Sequence, residues 1–176
     1  MNKVKLLVMR SVVACGLIAG GLLVVATSTA SATSAKSCVS TQIAVSRGAA
    51  QGTAGTNYYA LVFTNTRAVC TLFGVPAVQP VIGPTHRSLG PLARNESMGQ
   101  MPAMHTLAKG QSVSVAFGVV DTGNFATATC GPRKARGVIV TLGSFVRPTY
   151  LNLPITVCTK LASTTTRLVA PGVTGA

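Results

Sequence analysis

Apolar positions along this chain recur mostly with period two, the period of a strand with one buried face. In "CVSTQIAVSRG", Val39, Thr41, Ile43 and Val45 share one face, with Ser40, Gln42, Ala44 and Ser46 on the other. "QSVSVAFGVVD" sets Val113, Val115, Phe117 and Val119 against Ser112, Ser114, Ala116 and Gly118. "YLNLPITVC" brings Leu151, Leu153, Ile155 and Val157 into phase, with Pro154 on the opposite phase. Proline has no N–H for the ladder, so an edge strand or a bulge is expected there. "NYYALVFTNT" and "GVIVTL" are apolar on both phases and read as central strands, covered on both sides.

The runs are separated by "RGAAQGTAGT", "VIGPTHRSLGP", "LAKGQ", "DTGN" and "GPRKARG". Their Gly, Pro, Asn and Asp content marks them as turns. No segment carries a helical stripe, and no internal repeat is visible. Short strands at this spacing predict an all-β, immunoglobulin-like antiparallel β-sandwich. The closing "APGVTGA" is expected to fray.

The first residues obey a different rule. Lys3, Lys5 and Arg10 precede an apolar run from Val12 to Ala26, then Ala30-Ser31-Ala32, the small-x-small pattern of a cleavage site. Residues 1–32 are therefore expected to be a signal peptide, and 33–176 a single sandwich domain. The apolar run falls short of the roughly 20 residues that a membrane span takes, so no span is expected after cleavage. Cys15 lies inside this run, too close to Arg10 for the apolar stretch that precedes a lipidated cysteine.

Export changes the reading of the other cysteines, Cys38, Cys70, Cys130 and Cys158. An even count in an exported chain implies two disulfides, and four cysteines allow three pairings. The expected one joins neighbours, Cys38 to Cys70 and Cys130 to Cys158. Each bond closes a loop of about 30 residues, worth roughly 3–4 kcal/mol in the chain-entropy model. About 140 residues can bury a real core, so folding needs no metal.

Beyond residue 32 the chain has 12 basic side chains against Glu96 and Asp121, a net charge of +10. Such a surface is drawn to polyanions such as wall polymers, anionic lipid headgroups and nucleic acid, but charges spread along a chain are expected first to serve solubility and nonspecific adhesion. The basic residues are spread along the chain, with one cluster at Arg133, Lys134 and Arg136, expected in a loop.

One stretch is more specific. "GTAGTNYYALVFTNTRAVCTLFGVPAV" has a glycine turn at Gly55 and an aromatic-bearing strand, Tyr58–Phe63, leading into Asn65-Thr66. Cys70-Thr71-Leu72, Gly74, Val75 and Pro76 follow. This run resembles the signature of the domain of unknown function 4232 family, found in secreted proteins and lipoproteins of high-GC Gram-positive bacteria. "TLAKGQSVSVAF" is similar to a later turn and strand of that family, with Lys109 where proline is usual. Cys130-Gly131-Pro132 and "LPITVC", ending at Cys158, match its last two cysteines. The resemblance covers about Cys38 to Pro171. It implies an immunoglobulin-like sandwich and supplies no catalytic residue.

The residues that could carry chemistry are few. Paired-carboxylate catalysis could use only Glu96 and Asp121. Asp121-Thr122-Gly123 spells the aspartic-protease triplet, but a second copy is lacking and a turn is expected. His86 or His105 with Asp121 and a serine has no nucleophile-elbow context. An enzyme is therefore not expected, and a cryptic hydrolase is the weakest alternative. Nucleic acid is a poor fit, since the few aromatics fall mostly on core positions. A carbohydrate platform has no tryptophan to use, and Tyr58 and Tyr59 are expected to be covered. Asn95-Glu96-Ser97 spells a glycosylation sequon, taken as chance in the bacterial setting that the resemblance implies.

Met98, Met101 and Met104 recur every third residue, followed by His105, and His86 lies in the preceding loop region. Thioethers and imidazole suit copper(I). In an extended segment residues three apart alternate faces, and methionine also fills irregular gaps, so a gap-filling loop is expected ahead of a metal site. Zinc is less suited still, because the cysteines lack CxxC spacing. The expected protein is a secreted or extracellular, non-enzymatic binding or structural module of the cell envelope, without cofactor. Its partner would be an anionic envelope polymer or another envelope protein. The alternative is an extracytoplasmic copper(I) carrier.

Overall fold

The fold is built outward from one hairpin. In the computed structural model, which describes residues 35–143 and 148–175, β1 (Ile43–Thr53) and β2 (Thr56–Asn65) pair antiparallel around Ala54-Gly55. Both turn residues have positive φ, 24° and 82°, a conformation that glycine adopts without strain. β3 (Cys70–Leu72), β4 (Ala77–Ile82), β5 (Arg87–Ser88), β6 (Arg94–Asn95) and β7 (His105–Leu107) follow. β8 (Ser112–Val120) leads through a single 3-10 turn, Thr122–Asn124, to the one-turn helix α1 (Thr127–Cys130). The chain closes with β9 (Pro132–Thr141), β10 (Thr149–Cys158), β11 (Thr164–Thr166) and β12 (Ala170–Pro171).

One sheet runs β1-β2-β8-β11-β6, with β12 also on β8. A second runs β10-β9-β4-β5, and β3 pairs with β7. Every pairing between strands is antiparallel except β11 with β6. Leu61, Phe63, Val113, Val115 and Phe117 from the first sheet meet Val78, Val138, Val140, Leu153 and Val157 from the second in one core. The protein is thus an all-β, disulfide-stapled sandwich of immunoglobulin-like kind. The described residues all fall in one compact unit, Ser34–Ala176. The expected signal peptide, 1–32, lies outside the described residues. Among those described, no helix is long and apolar enough to cross a membrane.

The predicted inward phases of β8 and β10 are buried at Val113, Val115, Phe117, Val119, Leu153, Ile155 and Val157, with Leu151 half-buried, but β8 is covered on both faces, Ser114 and Ala116 being buried too. β10 is an edge strand, and its register shifts between Asn152 and Ile155, around Pro154. β2 and β9 are interior strands, as their two-sided apolar runs require.

Several boundaries differ from expectation. β1 begins at Ile43, because Val39 to Gln42 forms a turn in which Gln42 N–H donates to the Val39 carbonyl. "RGAAQGTAGT" is mostly strand, with a register shift between Arg47 and Ala50 and the turn confined to its end. The tail does not fray. Ala170 and Pro171 pair with Ser114 and Val113, and Gly175 N–H donates to Ser114 Oγ at 2.9 Å. The tail crosses the sheet face where side chains are smallest. A Cβ on Gly48 would stand 3.0 Å from both the Val173 carbonyl oxygen and Ala60 Cβ.

Two disulfides close the edges. Cys38–Cys70 ties the N-terminal segment to β3, where Cys38 N–H donates to the Thr71 carbonyl at 2.8 Å. Cys130–Cys158 ties α1 to the end of β10.

Candidate functional site

The basic cluster expected in a loop lies on a strand. Arg133, Lys134 and Arg136 belong to β9, and all three are exposed. Only Ala135 between them enters the core, so a solvent-facing strand end accommodates three cations. Register adds a fourth. Val81 pairs with Gly137 on one side and Ser88 on the other. One step further, Ile82 pairs with Arg87, and Arg136 is the next residue of β9. Arg87 and Arg136 therefore flank Ile82 across two strand spacings, roughly 10 Å. Lys160 completes the stripe at its other end, its stem 3.4 Å from where a Cβ on Gly131 would sit and its Nζ donating to the Ala128 carbonyl.

Along β9, Lys134 and Arg136 are two residues apart, roughly 7 Å. Two unit charges at that spacing repel by roughly 0.6 kcal/mol in water. No carboxylate offsets this, since the one ion pair among the described residues is Arg167–Glu96, at 3.1 Å. Asp121 Oδ1 accepts the Gly123 N–H at 2.8 Å, the turn that its sequence predicts.

Beside the stripe, the His86 ring stacks on Tyr150, centroids 4.0 Å apart and planes 11° from parallel. Tyr150 O–H donates to the Arg136 carbonyl at 3.4 Å. Its ring lies over Gly137, where a Cβ would come within 2.7 Å of it. His86 is thus stacked against Tyr150 on the β4–β5 turn. Sequence reasoning missed Arg87 and Tyr150 here, because only cross-strand register places them beside β9.

The methionine stretch is a loop between β6 and β7, but it fills no gap. Met98, Met101 and Met104 are 83 %, 91 % and 65 % exposed. Met98 and Met101 forgo most of the roughly 1.5–3 kcal/mol that fully burying a methionine brings, and Met104 a part of it. The loop is pinned before it starts: Ser97 is buried, its N–H donates to Asn95 Oδ1 at 2.8 Å, and its Oγ accepts the Leu168 N–H at 3.0 Å. At the other end His105 sits on β7, paired with Leu72, and its Nε2 lies 3.1 Å from the Val169 carbonyl oxygen. A carbonyl only accepts, so Nε2 carries the proton. Met104 and His105 line one open cavity of 370 Å³. Among the described residues, no three His, Cys, Asp or Glu side chains are grouped to hold a metal ion.

The adjacent tyrosines split as strand geometry demands. Tyr58 carries the Arg167 guanidinium 5.6 Å above its ring, while Tyr59 packs against the core. Tyr58, Arg167 and Gln51 line a cavity of 250 Å³ together with Thr174 and Gly175 of the tail.

One residue of the signature stretch is a buried amide that ties strand ends together. Asn65, 0 % exposed, donates to the Ala68 and Leu107 carbonyls at 2.9 and 2.8 Å, and its Oδ1 accepts the Arg67 N–H at 3.0 Å. Thr66 beside it donates to the Gln42 carbonyl at 2.9 Å. These residues hold strand ends together.

A family model described as "Domain of unknown function (DUF4232)" matches residues 38–172. No curated protein and no solved structure matches the chain.

Proposed function

Because the chain belongs to the DUF4232 family, which assigns it no activity, we propose its function from the geometry: an exported, non-catalytic binding module that holds an anionic polymer of the cell envelope along β9. The observation that carries this reading is the pair Lys134 and Arg136 on the outward face of β9, extended by Arg87 across the sheet, with Arg133 exposed at the strand end beside them. A linear polyanion laid on the row relieves the repulsion between these cations and releases its own counterions. Two disulfides fit an oxidising compartment, in keeping with an N-terminal segment that reads as an export signal. The non-catalytic part rests on what the titratable groups touch. His86 stacks on Tyr150, His105 meets a carbonyl, Asp121 caps a turn and Glu96 pairs with Arg167.

The test is a binding titration of purified anionic wall polymer, with linear polyphosphate as reference, between 50 and 200 mM salt (roughly the range in which such contacts are screened). The Arg133→Gln, Lys134→Gln, Arg136→Gln variant is expected to bind at least tenfold more weakly and with a shallower salt slope. A control removes equal charge at Lys36, Arg47 and Lys109. Equal weakening in both variants would show that net charge alone binds and would refute a site on β9.

A further inference from the structure

We propose that the loop from Met98 to His105 is a binding site for one copper(I) ion, held by the three thioether sulfurs and Nδ1 of His105. The first observation is placement. The chain has five methionines, and the three beyond residue 32 all lie in this one loop. The second is exposure. At 83 % and 91 % exposed, Met98 and Met101 contribute little packing, and Met104, at 65 %, leaves most of its surface uncovered, so packing gives little reason for the three to cluster here.

The third is backbone shape. A straight extended segment would send Met98 and Met101 to opposite faces. The loop instead turns, with Gln100 N–H donating to the Ser97 carbonyl and Gly99 in the left-handed region at φ 84°. No regular strand separates the sulfurs between residues 98 and 104.

The fourth is the histidine. Metal-binding histidines commonly donate their second ring N–H to a backbone carbonyl, which fixes ring and tautomer. His105 does this through Nε2 to Val169, so Nδ1 keeps its lone pair. Val169 is itself held, buried and with its N–H donating to the Gly74 carbonyl at 3.0 Å. One imidazole is therefore fixed on a rigid element, and Met104 shares its cavity.

Donor chemistry selects the ion. Three thioethers and an imidazole are soft, neutral donors, and they favour copper(I) over ions that take carboxylate or water. Binding releases no proton from a thioether. Among the described residues no thiolate competes, because Cys38, Cys70, Cys130 and Cys158 are all in disulfides.

The experiment is an anaerobic copper(I) titration of residues 34–176, disulfides intact, against a chromogenic copper(I) chelator. This unit carries the whole core and both disulfides. One ion per chain is expected. Met98→Leu, Met101→Leu, Met104→Leu together should weaken binding at least 100-fold, and His105→Gln about tenfold. Leucine at exposed positions leaves the fold intact, which the thermal midpoint checks. As a second readout, the three methionine methyl NMR signals should all shift with one equivalent of silver(I). No binding by the parent, equal binding by the leucine variant, or unmoved methyl signals would overturn the site. Unchanged affinity in His105→Gln would remove the imidazole from it.

Discussion

Replacing Asn65 with alanine tests whether the family signature is structural. The side chain is fully buried and makes three hydrogen bonds, to the Ala68 and Leu107 carbonyls and from the Arg67 N–H. At about 1 kcal/mol net for each bond lost, Asn65→Ala should cost about 3 kcal/mol. For a domain of this size that lowers the thermal midpoint by about 10 °C. Thr66→Val, which loses one exposed bond to Gln42, should cost under about 1 kcal/mol. Circular dichroism melts and urea titrations read both. Asn65→Asp adds a sign. Burial among carbonyls raises the carboxyl pKa above its unfolded value. The destabilisation relative to the parent therefore grows as pH rises through the unfolded pKa and levels off above the folded one. An Asn65→Ala protein within 1 kcal/mol of the parent would refute the argument, as would an Asn65→Asp protein equally stable relative to the parent at pH 4 and pH 7.

Two other perturbations probe the core and the staples. Phe117→Asp places an unpaired charge at a fully buried position and should abolish the folding transition; a soluble, cooperatively melting Phe117→Asp protein would reverse the assigned strand phase. Changing Cys130 and Cys158 together to serine should cost roughly 3–4 kcal/mol, and peptide mapping of that variant should still recover Cys38 joined to Cys70.

The sequence was legible where burial is one-sided or complete. Phe117 and Val115 announce their face because period two has no other cause, and Pro154 marks a bulge because it lacks a donor. It was less legible where strands look like loops. "GPRKARG" has the composition of a turn, yet an exposed strand end tolerates any long cation, and only the small Ala135 and Gly137 must fit inside. "RGAAQGTAGT" is glycine-rich for a different reason, since Gly48 makes room for the tail. The tail itself carries no apolar pattern. It docks through its backbone, and that leaves no trace in side-chain periodicity. For the same reason the row from Arg133 to Arg87 was half visible: three members are local in sequence and the fourth arrives by register.

The signature residues and the methionine loop meet at one place, which couples stability to the proposed ion. Asn65 grips the Leu107 carbonyl, two residues from His105, and Leu72 of the stapled β3 pairs with His105 itself. An ion that binds only the folded chain stabilises it by mass action, about 2.7 kcal/mol at 100 times the dissociation constant. That is close to the loss expected from Asn65→Ala. Chelator-buffered copper(I) should therefore return the Asn65→Ala midpoint to nearly that of the ion-free parent. It should do nothing when the three methionines are also leucine. A rise of equal size without the methionines would place the ion elsewhere on the protein. No rise with them, at a concentration where titration shows the parent saturated, would mean that Asn65→Ala had already dismantled the His105 end of the site.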